Sequence, residues 1–278
     1  MVAKNKKKQT YLHLVCKSGN ISAFDYLMNI YRFDYKEKDK DHKTILSYAI
    51  ASNNYDLFKT VFNLFNHDKI KMNFKDIDGN TLLHEAATTN NINVVDLLVK
   101  TNEIDLEARN TCEETMLHIA IRFGDLDFIK HIVSYGVDVN VQDDDNYAPL
   151  HIACTRNKYS IVEFLLSLET IKINIKDRNG RTPLIYACEK NLNQMAKLFI
   201  RSKNIDLTSK GSKGNSILQI FCKNGNYEMV KYVYELKKDN KRIFNVYEKN
   251  FEGKTALDIA KENDNVNQSK IIEYLTNK

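Results

Sequence analysis

The sequence lacks the features that mark several large classes of protein. It has no run of about 18 apolar residues and no charged-then-apolar leader, so it predicts neither a membrane-spanning helix nor a secretory signal. The motifs G-x-x-x-x-G-K-[ST], G-x-G-x-x-G, G-x-S-x-G and H-E-x-x-H are absent. We therefore expect a cytoplasmic protein, with a nuclear location as the alternative, that is not an enzyme and carries no cofactor.

A pattern repeats eight times along the chain. A small residue followed two positions later by leucine recurs at spacings of 34, 37, 34, 33, 34, 34 and 39 residues. We call the small residue the threonine position of its repeat; these residues are Thr10, Thr44, Thr81, Thr115, Ala148, Thr182, Ser216 and Thr255. A repeat that stacks only on its neighbours gives an extended surface rather than a catalytic pocket.

Each repeat is predicted to be a pair of helices. Both prolines, Pro149 and Pro183, directly follow a threonine position, where the first turn of a helix does not need the N–H that proline lacks. Nine residues after each threonine position comes a residue type that tolerates a left-handed backbone: Gly19, Asn53, Asn90, Gly124, Asn157, Asn191, Gly225 and Asp264. A second apolar series with helical spacing follows, as at residues 92–98.

Residues 76–87, DIDGNTLLHEAA, resemble the ankyrin repeat motif D-x-x-G-x-T-P-L-H-x-A-A at almost every position, and residues 146–154 and 180–188 are similar to it. The resemblance extends over about residues 10–275 and implies an all-α repeat solenoid of about eight helix pairs with short β-hairpin fingers. Short polar residues lie five positions before most threonine positions, where they can bond their own backbone in a turn. The first repeat lacks a clear finger, and the eighth is polar, as in a terminal cap.

The domain organisation follows from the repeat boundaries. We expect a basic N-terminal tail over residues 1–8 and a solenoid over residues 9–278, either whole or cut from a longer protein at a repeat boundary. The tail lysines favour a solvated end over a nuclear-import signal or a phosphate contact. The extra residues behind the two longest spacings, around 66–70 and 237–242, are predicted to form surface loops after second helices.

Cysteine and histidine occupy repeat positions rather than metal-ligand spacings. Cys16, Cys154, Cys188 and Cys222 all lie six residues after a threonine position, so they are predicted to be small core residues that are too far apart for disulfides. Cys112 lies in a finger and is predicted to be exposed. His13, His84, His118 and His151 lie three residues after a threonine position, and we expect them to tie the helix start to the next finger by hydrogen bonds. No zinc site is predicted.

In proteins of the family that this chain resembles, the finger tips and the exposed side of the first helices form a concave binding face. Transferring those positions gives the candidate partner-binding residues Glu114, Arg122, Phe123, Asp144, Asp145, Tyr147, Arg156, Arg178, Arg181, Lys190, Lys213 and Lys223. The acidic residues and both aromatics come first along the chain, and Arg178, Arg181, Lys190, Lys213 and Lys223 follow. This order favours a protein partner with a basic stretch next to an acidic one. Random surface charge is an equal alternative.

The predicted function is a monomeric scaffold or adaptor that binds partner proteins. One alternative is the recognition arm of a larger multidomain protein, such as a kinase, a channel or a ubiquitin-ligase subunit. A second alternative is nucleic-acid association through the lysine tail and the basic C-terminal half. The net charge of +5 over 278 residues is too small to require nucleic acid.

Overall fold

The computed structural model describes residues 3–31, 33–68, 72–101, 103–238, 241–262 and 266–277. These residues contain the helices α1 (Tyr11–Ser18), α2 (Ile21–Ile30), α3 (Ile45–Ala51), α4 (Tyr55–His67), α5 (Leu82–Thr89), α6 (Ile92–Val99), α7 (Met116–Phe123), α8 (Leu126–Ser134), α9 (Pro149–Thr155), α10 (Tyr159–Leu166), α11 (Pro183–Glu189), α12 (Asn193–Arg201), α13 (Ile217–Lys223), α14 (Tyr227–Tyr234), α15 (Ala256–Lys261) and α16 (Gln268–Thr276). Two short strands, β1 (Lys237–Lys238) and β2 (Lys241–Arg242), pair antiparallel.

The chain divides into two compact units, Met1–Asp144 and Asp145–Lys278. Unit one contains α1–α8 and unit two contains α9–α16, so each unit holds four helix pairs. Within unit one, the first helices α1, α3, α5 and α7 pack in sequence order, and in unit two α9, α11, α13 and α15 do the same. This stacking buries the apolar faces that a single pair leaves exposed.

Every first helix begins directly after the threonine position predicted from the sequence. Pro149 and Pro183 are the first residues of α9 and α11, which confirms their predicted place. Most second helices are capped by a short polar side chain: Asn54, for example, accepts a hydrogen bond from the Leu57 N–H at 3.1 Å. Such a cap satisfies one of the backbone donors that the first turn of a helix leaves unpaired.

The predicted helix stops are correct, with one exception in their backbone geometry. Positive φ values between 52° and 72° occur at Gly19, Asn53, Asn90, Asn157, Asn191 and Gly225. Gly124 also ends its helix, but with φ −81° and ψ 167°, so the prediction of a left-handed backbone there was wrong. Asp264 lies outside the described residues.

The core is formed by the same positions in each repeat. Leu83 and Leu117 in unit one, and Leu150 and Leu184 in unit two, are at most 1% exposed, as their common place in the repeat predicts. The four repeat cysteines are buried thiols, and Cys112 is exposed. Burial raises the pKa of the Cys16 and Cys222 thiols to about 12, which keeps them protonated and unreactive.

The turn before a helix pair, which we call a finger, is closed in most repeats by one acceptor oxygen of a side chain; the seventh finger has Gly211 at this position. In the third finger, Asp76 Oδ1 accepts hydrogen bonds from the N–H groups of Asp78 and Asn80 at 3.0 and 2.8 Å. The equivalent acceptors are Asp39, Asn110, Asp177 and Asn250. Backbone hydrogen bonds also join neighbouring fingers within a unit, such as Thr111 N–H to Asp78 O at 2.9 Å.

The first repeat also has a finger, contrary to the expectation from sequence. Asn5 Oδ1 accepts hydrogen bonds from the N–H groups of Lys7 and Gln9 at 2.9 and 3.0 Å, which is the pattern of the other fingers. The Lys40 N–H in the second finger donates to Lys7 O at 2.8 Å. Residues 5–8 therefore belong to the finger of the first repeat and not to a separate N-terminal tail.

The extra residues around 66–70 and 237–242 differ in structure. Helix α4 continues to His67, so residues 66 and 67 are helical and the predicted loop was wrong for them; residues 69–71 lie outside the described part of the chain. Residues 237–242 follow α14, as predicted, and form the β1–β2 hairpin on either side of the undescribed residues 239–240.

Candidate functional site

In each unit, the predicted site residues lie in the fingers or at or next to the C-terminal ends of the first helices, and we treat these segments as one surface. We call this surface the finger face: it consists of the fingers together with the exposed side of the first helix that follows each finger. Fingers and first helices are fixed to each other by the hydrogen bonds described below. The two units are described separately.

The buried histidines hold the finger face together. In unit one, His84 Nδ1 accepts from the Thr81 N–H at 3.1 Å, and His84 Nε2 donates to Glu114 O in the next finger at 2.8 Å. In unit two, His151 bonds the Ala148 N–H and Arg181 O at 3.3 and 3.0 Å. The predicted role of these histidines is confirmed at both sites. Burial lowers the pKa of His13, His84 and His151, so the neutral ring that these bonds require is favoured.

Glu114 and Arg122 form an ion pair in unit one. Glu114 is only 7% exposed, and its carboxylate also accepts a hydrogen bond from Asn110 Nδ2 at 3.1 Å. Burial disfavours the charged carboxylate, but Arg122 and Asn110 outweigh this effect and lower its pKa. Glu114 thus orients the half-buried Arg122 and presents little charge to solvent itself.

Phe123 ends α7 and is 60% exposed. Burying a side chain of this size is worth roughly 1.5–3 kcal/mol, so an exposed ring retains that free energy for contact with a partner. Asp144, at the end of unit one, is also exposed. Unit one therefore presents an apolar ring, a fixed guanidinium and a carboxylate on its finger face.

Arg181 organises the finger face of unit two. Its guanidinium contacts Asp177 Oδ2 at 2.8 Å and donates to the Tyr147 hydroxyl at 3.0 Å. It also lies 3.6 Å from Glu189 Oε2 and stacks over the Tyr186 ring at 5.3 Å. Arg181 and Tyr147 are half-buried, so both act in the support of the face as well as in its surface.

Most of the remaining predicted site residues are charged and exposed. Arg178 pairs with Asp145 at 2.9 Å, and Lys213 pairs with Glu252 at 2.6 Å. The other exposed members of the set are Arg156, Lys190 and Lys223. Much of the basic charge in unit two is therefore neutralised by neighbouring carboxylates, and this face is less positive than the order of residues along the chain suggests.

The sequence reasoning missed a charged cluster in unit one. Lys43 Nζ lies 3.0 Å from Glu85 Oε1 and 3.4 Å from Asp76 Oδ2. Asp76 was recognised only as a turn residue, and Glu85 only as a variable position of the motif. The signal that could have revealed the cluster is in the repeat alignment, because Glu85 is the only charged residue among the eight that lie four residues after a threonine position.

Among the described residues, no group of three or more His, Cys, Asp or Glu side chains is placed to hold a metal ion. In the same part of the chain, we find no helix with both the length and the apolar character needed to cross a membrane.

A family model described as ankyrin repeats in three copies matches residues 2–71, 58–143, 117–211 and 190–278. The chain belongs to the ankyrin repeat family. The ankyrin repeat domain of Bcl-3 has the same fold, with a TM-score of 0.68 at 22% sequence identity, over 85% of this chain and 99% of that domain. Ankyrin repeats are protein-interaction modules, so membership assigns this chain to a class that binds other proteins.

Curated relatives share parts of the repeat array. A putative ankyrin repeat protein of Fowlpox virus (strain NVSL) is 28% identical over 125 residues, which are 45% of this chain and 28% of the relative. Tyrosine-protein kinase Shark of Drosophila melanogaster is 34% identical over 88 residues, 32% of this chain and 9% of the kinase. Protein phosphatase 1 regulatory subunit 27 of Homo sapiens is 33% identical over 70 residues, 25% of this chain and 46% of the subunit. The match spans less than half of each of these relatives.

Proposed function

We propose that the protein is a non-enzymatic scaffold or adaptor that binds a partner protein through its finger face. The observation that carries this proposal is the exposed ring of Phe123 directly beside Arg122, whose guanidinium is held by Glu114. Aromatic and arginine side chains contribute most of the binding free energy in protein interfaces. A guanidinium that is already held in place loses little conformational entropy on binding.

The twelve predicted residues divide into two groups within this proposal. Glu114, Arg122, Tyr147 and Arg181 are buried or half-buried and shape the face by contacts with one another or with the fingers. The exposed residues Phe123, Asp144, Asp145, Arg156, Arg178, Lys190, Lys213 and Lys223 are the ones a partner would touch, together with the accessible part of the Arg122 guanidinium. Exposed charges of this kind affect the rate of association and the choice of partner more than the affinity.

Substitution at the finger face should weaken a partner without unfolding the protein. We expect Phe123→Ala to lower the affinity by about 1–2 kcal/mol or more, because an exposed aromatic at an interface contributes disproportionately. Arg178→Glu should mainly slow association, with an effect that shrinks as salt rises. The measurements are calorimetry and stopped-flow kinetics on a partner first captured by pulldown and identified by mass spectrometry.

The matched control is Tyr26→Ala, which removes an aromatic side chain that is 64% exposed on the second helix α2 of the same unit. This variant should bind as the unchanged protein does. Loss of binding in Tyr26→Ala with full binding in Phe123→Ala would move the site away from the finger face. Arg181→Glu is not a clean test, because Arg181 also supports its own finger through Asp177.

A second candidate function is the recognition arm of a larger multidomain protein. It is favoured by the Shark kinase, in which the stretch similar to this chain is only 9% of the protein. The test is an immunoblot of the native source with an antibody against this chain. A single band at the mass expected for 278 residues would exclude the arm hypothesis, and a much larger band would support it.

A further inference from the structure

One position of the repeat departs from its pattern in unit one. The residues four places after the threonine positions are Leu14, Tyr48, Glu85, Ile119, Ile152, Tyr186, Ile220 and Ile259. Seven are apolar or aromatic, and the four isoleucines are at most 8% exposed. Glu85 therefore places a carboxylate at a position where no other repeat has a charged side chain. A local departure of this kind is expected where function opposes stability.

Glu85 belongs to a cluster with an excess of negative charge. The Glu85 and Asp76 side chains are 11% and 3% exposed, and Lys43, which pairs with both, is 32% exposed. Two carboxylates therefore share one ammonium group. Lys43 binds Glu85 through Oε1, whereas Glu85 Oε2 is buried and receives no hydrogen bond from any described residue. A buried acceptor that is left unpaired costs free energy.

The cluster opens into a cavity on the finger face. The cavity has a volume of about 180 Å³ and is lined by residues of two fingers and of the first helices α3, α5 and α7: Lys43, Ala51, Asn80, His84, Glu85, Thr88, Ile119 and Phe123. Phe123 contributes its ring, which is otherwise 60% exposed. The cavity thus brings together an acidic acceptor, the apolar Ile119 side chain and an aromatic ring.

We propose that this cavity receives the guanidinium group of an arginine of the partner protein. Glu85 Oε2 is buried in the free protein, so the carboxylate would turn toward the cavity on binding. An arginine N–H would then satisfy this oxygen and neutralise the second carboxylate of the cluster, while the planar guanidinium would lie against the Phe123 ring. Arginine suits such a site better than lysine, because its planar guanidinium stacks on aromatic rings and its several N–H donors have fixed directions. An anionic group is disfavoured by the net charge of Lys43, Asp76 and Glu85.

The state of Glu85 without a partner is consistent with this assignment. Burial raises the pKa of Glu85, and the neighbouring Lys43 and Ser47 only partly offset the effect. A second cation in the cavity would favour the charged carboxylate and so relieve this cost. The inference rests on the proposed function, since it names one side chain that a partner would insert into the finger face.

The test uses a small probe, so that it does not depend on knowing the partner. N-acetyl-arginine amide is titrated into the protein, and the methyl resonances of Ile119 are followed by NMR. We expect a saturable shift of the Ile119 methyl signal, with an affinity on the order of millimolar. N-acetyl-citrulline amide, which has nearly the same shape but no charge, should bind at least about tenfold more weakly, because it lacks the ion pair with Glu85.

Variants separate the charge of Glu85 from its shape. Glu85→Gln should weaken the arginine response by about tenfold or more, since the amide keeps the size of the side chain and removes its charge. The matched control is Glu113→Gln, an equal change in charge on an exposed residue of the same unit that does not line the cavity. This control should respond to arginine as the unchanged protein does.

Glu85→Leu distinguishes a binding carboxylate from a structural one. Leucine restores the apolar character of the repeat position, and Lys43 keeps Asp76 as a partner. We expect an unchanged or raised melting temperature together with loss of the arginine response. The inference is overturned if Ile119 does not shift with arginine, if citrulline acts equally well, or if Glu85→Gln responds normally. None of these results would contradict the wider proposal of partner binding, which the variant Phe123→Ala tests separately.

Discussion

The variant Gly124→Asn should lose about 3 kcal/mol of stability, although asparagine occupies the same place in four other repeats. A Cβ atom on Gly124 would lie 2.7 Å from Phe128 Cδ1 and 2.9 Å from Ala120 O. The carbonyl oxygen belongs to the backbone of α7 and cannot move without disturbing that helix. Forcing atoms into such a packed place typically costs 1–3 kcal/mol and occasionally more. The measurement is the midpoint of chemical denaturation, compared with that of the unchanged protein.

Gly19→Asn is the matched control, because Gly19 has the same repeat position in the same unit. Gly19 has φ +72°, and a Cβ atom there would meet its nearest neighbour, Ser52 Cβ, at an ordinary 3.5 Å. Asparagine tolerates the left-handed region, so this substitution should cost less than about 1 kcal/mol. Equal and small losses in both variants would mean that Gly124 is not closely packed, and that its place is an ordinary helix stop.

Lowering the pH from 7.5 to 5.5 should destabilise the protein through its buried histidines. Burial lowers the pKa of His13, His84 and His151 below the ordinary value of 6.5. The unfolded chain therefore binds protons at a higher pH than the folded chain does. The stabilisation is fully present above about pH 6.5 and is lost as the pH falls toward the lowered folded pKa values. Each histidine contributes at most about 1.4 kcal/mol over this range, and the three together at most about 4 kcal/mol.

The seventh repeat provides the control for this prediction, because it replaces histidine by a residue that does not titrate. Gln219 accepts from the Ser216 N–H at 2.8 Å and donates to Glu248 O at 2.8 Å, so it makes the same two kinds of bond as His84 and His151. The double variant His84→Gln and His151→Gln should keep most of its stability at pH 7.5 and show a flatter pH dependence. An unchanged slope in this variant would assign the acid sensitivity to other groups.

The buried histidines and Gly124 affect the finger face as well as the stability of the protein. His84 donates to the carbonyl of Glu114, the residue that orients Arg122, and His151 donates to the carbonyl of Arg181. Protonation places a proton on Nδ1 and removes the bond that this atom accepts from the Thr81 or Ala148 N–H, so it is expected to loosen the junction between a finger and its first helix. Gly124 follows Phe123 directly, so its close packing also fixes the chain beside the exposed ring.

Features that depend on residues close together in the chain could be predicted from the sequence alone. The small residue before each leucine, the prolines and the left-handed stop residues specify helix starts and ends through local sterics and hydrogen bonds. Their eightfold recurrence therefore predicted the helix pairs, the buried leucines and cysteines, and the role of His84 and His151. The predicted binding residues on fingers and first helices, in contrast, were transferred from the family that the chain resembles.

Features that depend on contacts between repeats became visible only in the tertiary structure. Gly124 shares its repeat position with left-handed residues, yet packing against Phe128 and Asn90 requires a different backbone and the absence of a side chain. Glu114 was predicted to be exposed to a partner, but Arg122 and Asn110 hold it in a buried place. The cluster of Lys43 with Glu85 joins residues 42 positions apart in sequence, since neighbouring first helices lie side by side. Charge and cavity shape at the finger face arise from such lateral contacts, which a repeat pattern read one unit at a time does not contain.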